Sequence, residues 1–305
     1  MNITQREQGA VLLAVLAIAV IFSILMGYAA STLNQRLELA EASLAKLNEM
    51  AKVEAKAHEL TYLISTQRIT VAGVSKGINA SGLERVDNLW RKSIVGDEIR
   101  TDGYLYESAD IAFSIQNEAG LIPINSANQY WLKRWLSAHG YSVPAQNQLL
   151  AVLADYLDGD QLLRPRGREG LSSNPGNYLA QSCKELRRIE EWRMLIETYP
   201  GFLNACGLQR IPAVNMNSVP AILGETFWPN NMTKILTARD QDKWITRDHA
   251  AIQLVPSLIT VPEDMYTRFG GETFVVIITG KFTSIQRRVV RNIGPGYAFT
   301  SKEVH

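Results

Sequence analysis

The sequence predicts an α+β protein: a long N-terminal helix leads into an α/β domain, and an all-α block is inserted into that domain. Three observations carry this reading. Residues 10–30 (AVLLAVLAIAVIFSILMGYAA) hold no charged side chain, and helical spacing continues past them with no Pro or Gly between Tyr28 and Thr70. Two stretches rich in β-branched residues, 273–282 and 285–293, lie close to the C-terminus. Between these and an earlier pair of strand-like runs stands a long stretch of short helical patterns, an order that an insertion explains.

At 305 residues the chain can hold one large domain or two medium ones. Hydrophobic residues at 46% and charged residues at 20% exclude a wholly disordered chain. A formal net charge of +1 leaves no electrostatic footprint for nucleic acid. Two cysteines, Cys183 and Cys206, make neither a disulfide framework nor a zinc site by themselves.

The N-terminal helix comes first. Residues 1–9 (MNITQREQG) are short and polar. The apolar run behind them has the length a helix needs to cross a bilayer. It exceeds the apolar region of a secretory signal, and no A-x-A-type site ends it cleanly. Leu33, Leu37, Leu44, Leu47, Met50 and Ala51 then recur at helical spacing. One continuous helix from about Ala10 to about Ser65 follows, roughly 80 Å long. Its first half, to residue 30, belongs in lipid; its second half is expected to pack the leucine stripe on a globular domain.

A polar leader ending in Gly9, an apolar run directly behind it and a long helix leaving the membrane resemble a type IV pilin or pseudopilin. The resemblance implies removal of residues 1–9 by a prepilin peptidase between Gly9 and Ala10, with Ala10 as a methylated new N-terminus. Pilins and major pseudopilins carry a glutamate at the fifth mature position. Here that position is Ala14. Such a carboxylate persists in lipid only when paired, so a subunit lacking it suits a filament end, with no subunit beyond it. Sequence drift or a misplaced cleavage site is the competing explanation.

After the helix, residues 73–103 read as loop with a short helix around Leu83–Lys92. Ala112, Phe113 and Ile115, then Leu121, Ile122 and Ile124, flank Asn117-Glu118-Ala119-Gly120, the signal of a hairpin. The pilin-like domain is therefore expected at 31–125 and again, as final strands, at 254–305. The inserted helical domain is expected at 126–253. Trp131, Leu132, Trp135 and Leu136, and then Leu149, Leu150, Leu153, Tyr156 and Leu157, have helical spacing. Further short helices are expected near 183–190, 191–199, 218–226, 232–239 and 246–252. Their aromatic and leucine stripes are read as core.

Four local patterns occur in order through the middle: FSIQNEAGLIPIN (113–125), DYLDGDQLLRPRGRE (155–169), NYLAQSCKEL (177–186) and PAVNMNS (212–218). Together they resemble the protein K family of minor pseudopilins of type II secretion systems. Asn177 and Glu185 keep the family's spacing of eight. The acidic stretch has its own chemistry. Asp155, Asp158, Asp160 and Glu169 crowd together, with Asn174 and Asn177 close after, and calcium takes six to eight oxygen ligands of these kinds. The EF-hand spacing is absent. A solvated loop paired with Arg164, Arg166 and Arg168 is the competing reading; the resemblance implies calcium, with Asp155, Asp158, Asp160, Glu169 and Asn177 as ligands. Gln161 and Gly170-Leu171-Ser172-Ser173 depart from the family pattern and shorten the loop. In a periplasmic domain, which the resemblance implies, Cys183 and Cys206 tend toward a disulfide; two buried thiols are the alternative.

No catalytic constellation is present. His58, His139, His249 and His305 share no ligand spacing, and the common nucleophile, phosphate and zinc motifs do not occur. Asp155 and Glu169 could form a hydrolytic carboxylate pair, but no cleft pattern accompanies them. The V-N-M-N segment resembles helix-hairpin-helix DNA binders, yet the glycine hairpin is missing. Arg287, Arg288 and Arg291 form a basic cluster whose bland reading is a polar strand face. The resemblance thus implies a non-enzymatic, single-pass inner-membrane protein with its globular part in the periplasm. It would initiate or cap a secretion pseudopilus. Its partners would be I- and J-type minor pseudopilins, the prepilin peptidase, and the secretin or exported cargo, with no nucleic acid. Ala14, Ala17, Ala19 and Gly27 would let neighbouring membrane helices approach. A minor pilin at the tip of a type IV pilus is the rival that shares the architecture.

Overall fold

The computed structural model describes residues 4–77, 85–86, 89–90, 94–108, 110–160, 162–168, 177–291 and 299–304. Helix α1 is continuous from Thr4 to Thr66. It starts earlier than the apolar run requires, because Thr4–Gln8 contain no helix breaker and a single interior glycine costs only about 1 kcal/mol.

Four short strands follow: β1 (Val74–Ser75), β2 (Arg85–Val86), β3 (Leu89–Trp90) and β4 (Glu98–Ile99). β1 pairs antiparallel with β4, and β2 with β3. The helix expected around Leu83–Lys92 is therefore wrong. Val86, Leu89 and Trp90 favour strand, and the sequence puts the turn-forming types Asp and Asn between them.

β5 (Tyr106–Ser108) and β6 (Ile111–Asn117) lead to a single 3-10 turn, Glu118–Gly120, and to β7 (Ile122–Pro123). The strands expected on either side of that turn exist, but they do not pair with each other. β6 lies between β5 and a strand far away in sequence, so neither of its edges is open to β7. The turn instead steers the chain out of the sheet. Asn117 caps it, its side chain accepting from Ala119 N–H at 2.9 Å and Gly271 N–H at 3.0 Å.

The helical block then comprises α2 (Tyr130–Ala138), α3 (Val143–Leu157), a 3-10 helix Cys183–Arg188, α4 (Glu190–Thr198), α5 (Phe202–Ala205), α6 (Ala221–Phe227), α7 (Met232–Asp240) and α8 (Asp248–Leu254). Small parallel pairs stitch its ends: β7 to β8 (Cys206–Gly207), and β9 (Val214–Asn215) to β10 (Tyr266–Thr267). The chain returns through β11 (Thr273–Thr279), β12 (Ser284–Val290) and β13 (Phe299–Val304). These complete an antiparallel sheet in the order β13-β12-β11-β6-β5. β6 and β11 are neighbours, in register from Ala112↔Thr279 to Asn117↔Phe274. The helical block thus leaves the sheet after one strand and returns at the strand beside it.

Two cores result. Val53, Ala57, Leu60 and Ile64 of α1, at spacings of four and three, cover Phe113, Ile115, Phe274, Val276, Ile278, Ile285 and Val289 on one sheet face. The larger core belongs to the helical block and is built on fully covered Trp131, Trp192, Phe202, Phe227 and Trp228. Two of these tryptophans satisfy their indole N–H inside the core: Trp131 donates to Met265 O at 2.6 Å and Trp192 to Leu149 O at 3.0 Å.

Candidate functional site

No residue between Leu12 and Asn48 is buried. Those 37 residues of α1 stand clear of the globular part over roughly 55 Å. This corrects the expectation that the stripe at Leu33, Leu37, Leu44, Leu47, Met50 and Ala51 packs on the domain. These residues are exposed, and the stripe one turn further on makes the core instead. Helical spacing reads the same in both stretches and does not say which of them meets the sheet. Gly9 and Ala10 lie on the helix backbone, and Ala14, Ala17, Ala19 and Gly27 are exposed along it. By length and composition α1 can cross a membrane, with a best-window mean hydropathy of 2.6 and none of that window buried.

Where α1 meets the sheet, its polar residues hold it. Glu49, 9% exposed, accepts from the backbone N–H groups of Phe282 at 2.6 Å and Thr283 at 2.9 Å, closing over the β11–β12 turn. Lys52 pairs with Asp110 and Glu54 with Arg287. Lys56 lies 4.7 Å from the centroid of the Phe113 ring.

The acidic stretch begins in the last turn of α3, where Asp155 is completely buried. Arg164 Nη1 donates to Asp155 Oδ1 at 2.9 Å and also to Asp158 Oδ2. Its backbone N–H approaches Asp155 Oδ2 at 3.4 Å. The Arg164–Gly167 turn, with Gly167 N–H donating to Arg164 O at 2.8 Å, brings Gly167 so close that a Cβ there would collide with the Asp155 carboxylate. Asp158 and then Asp155 hold the Arg164 guanidinium above its ordinary pKa. Asp160 caps its own loop, accepting from Leu162 N–H at 2.8 Å. Asn177 sits at φ +45° and donates its backbone N–H to Tyr156 O at 3.0 Å. Asp158 Oδ1 and Asn177 Oδ1 are buried without a hydrogen-bond partner. Glu169 and Asn174 lie outside the described residues, as do Gln161 and residues 170–173. Among the described residues no three His, Cys, Asp or Glu side chains converge as a metal ligand set. The Asp155 and Asp158 carboxylates and the Asn177 amide oxygen are of the hard oxygen type that calcium takes, but no described contact brings Asn177 Oδ1 to the carboxylates.

Cys183, at the start of the 3-10 helix, is disulfide-bonded to Cys206 in β8, with the Cα atoms 6.1 Å apart. Neighbouring bonds fix the same segment. Asn125 accepts from Ala180 N–H at 2.9 Å and donates to Leu208 O at 2.8 Å. Ser182 and Glu185 form a reciprocal capping box at the helix start. Asn217 of the V-N-M-N segment bonds Ile245 and Arg268 backbone groups in the interior. The three arginines of the basic cluster face carboxylates: Arg287 meets Glu54, Arg288 meets Glu118 and Arg291 meets Glu272. Arg287 and Arg288 spend their charge on these partners, while Arg291 and Glu272, both partly exposed, stand 4.0 Å apart.

One constellation escapes sequence reading. Asp102, in the loop between β4 and β5, accepts from Arg100 Nη2 at 2.6 Å and from Arg239 Nη1 of α7 at 2.9 Å. Arg100 also reaches Asp240 at 2.6 Å. Arg239 further donates to Val219 O and Met216 O, both at 2.9 Å. Burial lowers the Arg239 pKa to about 10, against the pull of Asp102. This network ties the helical block to the sheet domain. Asp102 and Arg239 stand 137 positions apart, and no local pattern marks either.

The chain matches no protein-family profile and no curated protein. Among solved structures it is similar to a chain in the crystal structure of the GspK-GspI-GspJ complex of the type 2 secretion system from enterotoxigenic Escherichia coli. The identity is 12%, the TM-score 0.48, and the alignment covers 88% of this chain and 100% of that one.

Proposed function

We propose that the protein is a non-enzymatic minor pseudopilin, anchored in the bacterial inner membrane, that initiates or caps a type II secretion pseudopilus from its tip. One observation carries the proposal. A single helix combines an uncovered, membrane-length apolar half with an end docked on an antiparallel sheet, and that sheet is interrupted between two adjacent strands by a helical block. The free stripe from Leu33 to Met50 offers α1 to the helices of I- and J-type partners. Ala14 supplies no carboxylate to a neighbour's N-terminus, which supports an end position. The helical block adds bulk beyond the sheet and would obstruct a subunit added above it.

Calcium belongs to this reading. Asp155, Asp158 and Asn177 would hold it, with Asp160 and Glu169 supplying further oxygens. The ion would neutralise the crowded carboxylates and cross-link the loop to the end of α3. The disulfide and Asn125 hold the segment after Asn177 in place for this.

The test is mass spectrometry of the chain purified from membranes of cells with and without prepilin peptidase. A peptidase-dependent N-terminus at Ala10, carrying an added methyl group, is expected. An uncut chain, or one beginning beyond residue 30, would overturn the proposal.

A further inference from the structure

We propose that the uncovered stripe of α1 is a coiled-coil seam that takes a second copy of this chain, parallel and in register, just outside the membrane. The proposal goes beyond the pseudopilin reading and does not depend on it.

The stripe has a definite period. Leu33, Leu37, Ala40, Leu44, Leu47 and Ala51 follow one another at steps of four, three, four, three and four. That alternation is a heptad repeat with leucine or alanine at every a and d position, which keeps one face turned to a partner helix. All six residues are exposed, and they span roughly 28 Å of helix. The seam then ends: the next a and d positions are Glu54, His58, Thr61 and Ser65. The stripe that docks on the sheet, Val53, Ala57, Leu60 and Ile64, falls at positions c and g of the same repeat. Glu49, clamped to the β11–β12 turn, is at f, across the helix from the seam. The domain thus holds another side of α1 and leaves the seam open.

Charge selects the occupant. In a parallel pair, a residue at g faces the residue five positions on, at e, in the other helix. Arg36 is at g and Glu41 is at e. Two copies in register therefore set Arg36 of each against Glu41 of the other, giving two ion pairs. The remaining e and g residues of the seam, Asn34, Ser43, Asn48 and Met50, are uncharged, so no like charges meet. Glu38, Lys46 and Lys52 fall at b and c, off the contact. Within its own chain neither Arg36 nor Glu41 has an ion-pair partner among the described residues.

Orientation follows from the apolar run. It enters the bilayer with the same polarity in every copy, so neighbouring copies are parallel. A seam of about two and a half heptads is short for helices free in water. Confinement of both chains to one bilayer raises their effective concentration and offsets this. Helices of other subunits would have to displace the second copy from the seam, so the pair belongs to chains outside a filament.

The test is cysteine cross-linking of the full chain in membranes, with two differently tagged copies expressed together. The two native cysteines are already joined to each other. Ala40→Cys places a thiol on the seam and Ala42→Cys places one at f, with the same change in size and no leucine lost. After oxidation with copper phenanthroline, Ala40→Cys is expected to give a disulfide-linked product carrying both tags, at least about fivefold more than Ala42→Cys, whose thiols lie too far apart. In the Ala40→Cys background, Arg36→Glu or Glu41→Arg alone should lower the yield about threefold or more, and the two together should restore it. Restoration by the double reversal is a readout that damage to the fold would not give. Equal linking at both positions, linking at neither, or a yield indifferent to the charge reversals overturns the proposal. A product that joins this chain only to a different protein overturns the second copy as occupant.

Discussion

Replacing Asp102 by alanine removes the one carboxylate that Arg239 reaches. Both side chains are 2% exposed, so water cannot take over the role. Arg239 would keep its bonds to the Val219 and Met216 carbonyls and the more distant attraction of Asp240, but lose the one carboxylate that it bonds among the described residues. Arg100 would lose two bonds and retain Asp240. Breaking a buried pair from one side costs about 3–5 kcal/mol, mostly from the stranded charge. With two carbonyl bonds surviving, about 3 kcal/mol is expected. Adding Arg239→Met removes the stranded charge as well, so the double variant should recover at least about 1 kcal/mol of that loss. Urea denaturation of the full chain in micelles measures both, with Trp244 as the reporter because Arg100 lies 5.7 Å from the centroid of its ring. The pH dependence has a definite sign. Burial brings the Arg239 pKa down to about 10, below that of an arginine in the unfolded chain, so above that value the unfolded chain holds more protons. Arg239 therefore makes stability rise with pH above about 10 and contributes no slope between about 5 and 8. An Asp102→Ala variant within about 0.5 kcal/mol of wild type would refute the reasoning, since that is the range of ordinary surface changes. A double variant that loses the sum of the single losses would do the same.

Leu60→Ala and Leu44→Ala compare the two stripes of α1. Leu60 is fully buried against the sheet and its truncation should cost about 2–5 kcal/mol, while Leu44, 59% exposed, should change the stability of the isolated chain by less than about 0.5 kcal/mol; thermal melts of both in one detergent check this. Serine at both Cys183 and Cys206 opens a loop of sequence separation 23 and should lower stability by about 3 kcal/mol, read by urea denaturation against the oxidised wild type.

The parts of the fold that could be read from sequence are those whose signal is local. Trp131, Leu132, Trp135 and Leu136 repeat at helical spacing, and all four are buried in α2. Thr273–Thr279 and Ser284–Val290 are β-branched runs, and they pair along their whole length. What failed was the choice of partner. β6 was expected to turn back on β7, yet its companion β11 begins more than a hundred and fifty positions further on, a separation that the 154 between Asn117 and Gly271 illustrates. β13 was missed altogether. The leucine stripe of α1 failed for the same reason: periodicity shows that a face is apolar, not what covers it. At the acidic loop, the competing reading of carboxylates paired with arginines describes Asp155, Asp158 and Arg164 as they stand, and it left calcium open.

Covered and uncovered faces together show how α1 divides its work. From Glu49 onward every device fastens the helix to its own domain: the Glu49 clamp on the β11–β12 turn, the Glu54–Arg287 pair and the Val53–Ile64 stripe. Between Leu12 and Asn48 none does so, although Leu33, Leu37, Leu44 and Leu47 repeat the same apolar period. In water, an apolar stripe of that length on a lone helix is a cost with no return within this chain. The domain fixes the far end of the helix, and nothing in the described part of this chain covers the apolar face of the near end. Within one chain the two requirements are separated at a single residue, Glu49, which is buried while its neighbours Asn48 and Met50 are exposed.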